Sequence, residues 1–229
     1  MKFCILLLLW VASVSASVVQ VFEAKEITVP YFNKAGNLSH RLTAEKGNYG
    51  EGNPRLFQVV IEMFSGGEEQ IEVGRIIADE AELVESENKI VGQGRAQYLS
   101  EEFDVQGYDF EIDLDTNTLL LKRDCTASND EYDFKSVSMI VEYDESKTVG
   151  YNGIRKLIAK EELEIFSKGI GTTEFDEAYT ELAIYDGLTG IIDFPEEVEF
   201  VRDKQKGSLK NLKIETNSVK SGTIANPAP

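Results

Sequence analysis

RIIADEAELVESENKIVGQGRAQYLSEEFDVQGYDFEIDLDTNTLLLKR, from Arg75 to Arg123, is a row of short apolar-polar alternations separated by polar turns. In its centre Tyr108, Phe110, Ile112 and Leu114 fall on every second position, with Asp109, Glu111 and Asp113 between them. A period of two places one set on a dry face and the other in water, which is the pattern of a β-strand. The turns have matching chemistry. ESENK lies between Val84 and Ile90, and DGLTG lies between Tyr185 and Ile191, so each apolar pair encloses five turn-forming residues. DTNT between Leu114 and Leu119 and DESKT between Tyr143 and Val149 read the same way. Acidic, amide, hydroxyl and glycine residues cap local amides or accept positive φ, and the flanking apolar residues set the register of a hairpin.

The alternation extends outward from this stretch. Phe103 and Val105 continue it on one side, and Val137, Met139, Val141 and Tyr143 on the other. Leu163 and Ile165, Leu182 and Ile184, and Val198 and Phe200 repeat it nearer the C-terminus. GIRKLIAKEELEIF, from Gly153 to Phe166, mixes helix-favouring residues with this pattern and is read as strand with a polar break at Lys160 to Glu162. Pro30, Pro54 and Pro195 sit where an edge, a turn or a bulge tolerates a missing amide. The expectation is an all-β protein of successive antiparallel hairpins without crossover helices.

The chain begins MKFCILLLLWVASVSAS, with Lys2, an apolar run from Phe3 and small residues before Ser17. This is a secretory leader pattern, read as a signal peptide over residues 1–16, with an uncleaved anchor helix over 3–22 as the alternative. The remainder divides into a β body over 17–215, with two tandem halves near 41–125 and 137–215, and a disordered tail over 216–229. Of 229 residues, 41 are acidic and 23 basic, for a formal charge of −18. That excludes nucleic acid as a natural partner. Without the leader only Cys125 remains, so stability must come from apolar burial and sheet hydrogen bonds. Cys125 is read as a half-buried thiol at a strand end, and the single histidine, His40, as a solvated loop residue. Neither belongs to a catalytic spacing, and no cofactor or metal is expected.

Two rival functions need other chemistry. A glycosidase needs two placed carboxylates, and no spacing singles out a general acid among so many acids. A calcium loop could use Asp113, Asp115, Asn117 and Asp124, but Thr118 stands where such a loop needs glycine. A basic run, Arg202 to Lys213, either contacts an anionic ligand or guards a terminal edge strand against aggregation.

In the order and spacing of its strands the chain resembles the OstA-like family of lipopolysaccharide transport proteins, which includes LptA and LptC. The resemblance is carried by Gly74 to Lys122, with its IVGQG step at Ile90 to Gly94, by Ile154 to Phe200, with AIYDGLTGIIDF, and by RLTAEKGNYG, Arg41 to Gly50. It implies a twisted β jelly roll whose apolar interior accepts acyl chains of lipopolysaccharide in the periplasm, without catalysis. It also implies pairing with other lipopolysaccharide transport proteins, or end to end with further copies, through edge strands. The strands near Phe57 to Phe64 and Leu209 to Ile214 are the expected edges. The alternation assigns Phe103, Val105, Tyr108, Phe110, Ile112, Leu114 and Met139 to the lipid-facing side. The remaining class is a structural or protein-binding module of the envelope, which differs in having a closed interior.

Overall fold

The computed structural model describes residues 22–50, 52–64, 71–143, 154–169 and 175–216. The leader, the turn at Asp144 to Thr148 and the tail beyond Thr216 lie outside the described residues. The strands are β1 (Phe22–Phe32), β2 (Leu38–Tyr49), β3 (Arg55–Phe64), β4 (Glu72–Val84), β5 (Lys89–Leu99), β6 (Asp104–Asp113) and β7 (Thr118–Ser128). They continue with β8 (Tyr132–Ser136), β9 (Ser138–Tyr143), β10 (Ile154–Ser167), β11 (Glu177–Asp186), β12 (Ile191–Arg202) and β13 (Gln205–Glu215). The protein is all-β. These thirteen strands form one antiparallel sheet in sequence order, with β8 and β9 together filling the place between β7 and β10.

Two hairpin loops are one residue shorter than the sequence suggests, and a third keeps its four residues but starts one residue earlier, at Leu114. Val84 pairs with Lys89, Asp113 with Thr118 and Asp186 with Ile191, leaving four residues in each loop. Each loop ends on a left-handed residue: Asn88 at φ 52°, Asn117 at φ 53° and Gly190 at φ 66°. Asparagine and glycine bear that conformation at least cost, which explains their placement. The loops are also clipped to one another, by Leu114 N–H to the Asn88 carbonyl (3.2 Å) and Tyr143 N–H to the Asn117 carbonyl (3.0 Å). Thr216, assigned by sequence to the disordered tail, instead donates its N–H to the Gly190 carbonyl at 2.8 Å and is buried.

Most strands are interrupted near their middle. The pairing registers slip between Ala78 and Glu82, Gly92 and Arg95, Gln106 and Tyr108, Lys160 and Leu163, and Phe194 and Glu197. Non-glycine residues with positive φ lie on this line, among them Glu26, Gln58, Asp109, Asp124, Glu161 and Glu162. Bulges of this kind bend a strand and strengthen its twist. On β7, β10 and β12 the line shows as three consecutive exposed residues, Lys122 to Asp124, Lys160 to Glu162 and Pro195 to Glu197, between buried alternations. The polar break expected at Lys160 to Glu162 is therefore a bend within one continuous strand. Val137 is the corresponding break between β8 and β9, and its N–H donates to the Glu161 carbonyl.

The bend line divides the sheet into two leaves. Leaf I carries the loops containing Asn88, Asn117 and Gly190, and leaf II carries the turns at residues 33–37, 100–103 and 203–204. The leaves fold onto each other. His40 on β2 in leaf II meets Tyr143 on β9 in leaf I with ring centroids 5.6 Å apart. Six strand spacings separate those strands, ~29 Å in a flat sheet. Phe103 likewise packs edge-on against Tyr185 of β11 at 5.0 Å. Between the leaves lies one continuous apolar core running from Ile27 to Ile214. Burial of its Ile, Leu and Phe side chains stabilises the fold by about 1.5–3 kcal/mol each.

The edges of the sheet are β1 and β13. The strand at Phe57 to Phe64, expected at an edge, is β3 and is paired on both sides, with β2 and β4. The terminal strand at Leu209 to Ile214 is at an edge as expected.

Candidate functional site

The interior between the leaves is where the sequence places the lipid-facing residues. Phe103, Val105, Phe110, Ile112 and Met139 do point into it, and all are at most 1% exposed. Val105 comes from leaf II, Phe110, Ile112 and Met139 from leaf I, and Phe103 from the turn before β6, so the bend brings both leaves to one volume. Leu114 is half-buried at the rim, packed against the core. At these positions the interior is filled by side chains that are shielded from solvent.

Tyr108 is elsewhere. Asp109 takes φ 56°, which shifts the phase of the alternation by one residue, so Gly107 and Phe110 face inward and Tyr108 is 41% exposed. There its ring carries the Arg123 guanidinium at 5.6 Å, and Arg123 also pairs with Asp109 at 3.1 Å. On β11 the alternating Leu182 and Ile184 face outward, and Ala183 and Tyr185 are the buried residues. Leu120, Ile140, Ile158 and Ile184 are in register on four adjacent strands and form an outward aliphatic row. Apolar residues on both faces of these strands hide the period of two.

Side-chain hydrogen bonds join the tips of the two leaves. His40 is not in a loop; it is buried on β2. Ser39 Oγ donates to the Tyr31 carbonyl at 3.2 Å, so His40 Nδ1 donates to Ser39 Oγ at 3.0 Å. Nε2 is then the acceptor, and the Tyr143 hydroxyl donates to it at 3.1 Å. Burial holds the imidazole neutral by lowering its pKa to about 4. A second link is the Tyr185 hydroxyl, which donates to a Glu102 carboxylate oxygen. These partners lie far apart in sequence, and no local motif announces them.

Cys125 is also more deeply placed than the sequence suggests. It lies within β7, 1% exposed, with its thiol directed at the Val137 carbonyl (3.4 Å). Burial raises its pKa to about 11, so it is a poor nucleophile. The Asp113 to Asn117 loop has its own internal use for its acid: Asp113 Oδ1 accepts the N–H groups of Asp115 and Thr116, both at 3.0 Å. In the basic run, Lys210 reaches Glu197 at 3.7 Å and Lys213 reaches Asp193 at 3.0 Å, across the β12–β13 pair. Among the described residues no helix is long and apolar enough to cross a membrane.

No protein-family model matches this chain, and no curated protein is significantly similar to it in sequence.

Proposed function

We propose that this protein is a non-catalytic lipid carrier of the OstA-like jelly-roll type, acting in the periplasm in lipopolysaccharide transport and outer-membrane assembly. The observation that carries the reading is the two-leaf interior: a continuous apolar core bounded on one side by a bend line and on the other by tips joined through side-chain hydrogen bonds. Parting the tips would expose Phe110, Ile112 and Met139 to a ligand while the sheet stays paired. An acyl chain then replaces leaf-to-leaf contact with leaf-to-lipid contact. A twelve-carbon chain gains roughly 9 kcal/mol at most from burial, against the cost of separating the leaves and ordering the chain. Handover to other transport proteins, or to further copies, would use the unpaired edges of β1 and β13.

The near-complete burial of the interior favours a second reading, a protein-binding envelope module whose core never opens. Photo-crosslinking separates the two. A photoreactive residue is placed at Phe110, Ile112 or Met139, with outward-facing Glu111 as control, and folding is verified by circular dichroism. Lipopolysaccharide adducts at the inward positions and none at Glu111 are the result expected of a carrier. Folded protein that gives no inward adduct is the closed module.

A further inference from the structure

A polar cavity of about 510 Å³ lies at the mouth between the leaf tips, with Tyr31, Phe32, Lys34, Ser39, Asn88 and Asn117 in its walls. The β1–β2 turn supplies one wall from leaf II, and the β4–β5 and β6–β7 loops supply the other from leaf I. We propose that this cavity binds an anionic saccharide.

Three features carry the inference. The first is charge. In a chain of formal charge −18, the one acid among the described residues of the cavity wall is Asp115, whose carboxylate already accepts Asn88 Nδ2–H at 2.8 Å. Lys34 is exposed and makes no ion pair among the described residues. The Glu85 carboxylate also acts on Tyr31 across the cavity. An anion here can pair with the Lys34 ammonium. The second is the ring of Phe32, 62% exposed, which offers an aromatic face for the C–H side of a sugar. The third is the hydroxyl of half-buried Tyr31, which has no hydrogen-bond partner among the described residues and can donate to a sugar oxygen.

The cavity adjoins Ser39, the residue that orients His40 in the tip contact. A glycolipid whose chains lay between the leaves would leave its sugars at this place. That connection rests on the acyl-carrier reading, whereas the cavity's own chemistry does not.

The test follows backbone amide NMR shifts of the purified protein with three probes: the delipidated, phosphorylated saccharide of lipopolysaccharide, a neutral dextran of similar size, and dodecanoate. The expected result is that the phosphorylated saccharide shifts residues 31–37 and 115–117, and the dextran does so more weakly. Lys34→Ala and Phe32→Ala, both at exposed positions, should each weaken saccharide binding by about tenfold with the spectrum otherwise unchanged. Shifts confined to the basic strand Gln205 to Lys213, binding unaffected by either substitution, or equal binding of dextran would overturn the proposal. Dodecanoate separates the two readings. Saccharide binding without fatty-acid shifts around Ile112 and Met139 upholds the cavity and sinks the acyl slot, and the reverse pattern sinks the cavity alone.

Discussion

His40 exchanges no charge with its neighbours; Ser39 and Tyr143 are neutral, and burial alone depresses its pKa to about 4. A base whose folded pKa lies below its unfolded value binds fewer protons when folded. Its stabilisation is therefore complete above about pH 6.5 and is lost as the pH falls from there toward 4. Urea unfolding at a series of pH values should show a loss of up to about 3 kcal/mol over that window that is missing in His40→Gln. Identical pH profiles for the two proteins would mean that His40 is solvated. Cys125 provides an independent reading of the same closure. Its buried thiol should resist iodoacetamide in the native protein and react at a rate set by opening, and fast labelling without denaturant would contradict a sealed interior. At Gly92 a Cβ would meet the Phe110 ring and the Glu80 carbonyl oxygen, the latter at 2.6 Å. Gly92→Ala is expected to cost about 1–3 kcal/mol or more by calorimetry, because backbone on β4 cannot yield as a flexible side chain can.

At the scale of the element, each long strand is two short strands joined by a polar bend. Left-handed φ disfavours a side chain such as that of Glu161, at φ 65°. Glu161→Gly should thus raise stability by about 0.5–1 kcal/mol, whereas Glu164→Gly in the regular part of β10 should lower it by about as much. Equal losses at both positions would remove the conformational explanation. This bend also decides how much was legible in the sequence. Strand existence, hairpin order and most turn positions could be read from alternation and turn chemistry. The register could not be read through the bend. A left-handed residue at Asp109 advances the phase by one, so Phe110 and Ile112 were placed on the correct face and Tyr108 on the wrong one. On β11 the period of two does not tell the faces apart, because Ile184 belongs to the outward aliphatic row. His40 was missed because its partner Tyr143 is brought to it by the folding of the leaves, a contact 103 residues distant.

At the scale of the whole molecule, the net charge of −18 acts against compaction. Raising ionic strength from low to physiological salt should stabilise the protein by on the order of 1 kcal/mol, about 2–4 °C in Tm. A fall in Tm would mean that cross-strand pairs such as Glu111 with Lys89 and Lys122, at 2.9 and 3.0 Å, outweigh the general repulsion. The sheet has a further property in its order. With β8 and β9 taken as one broken strand, every strand pairs with the strands immediately before and after it in the chain. A polypeptide that emerges from a narrow channel one end first meets the partner for each new strand already in place, so the ladder can grow in the direction of delivery. The contacts between leaf tips, His40 with Tyr143 and Glu102 with Tyr185, are the ones that must wait for distant chain, and they close the molecule last.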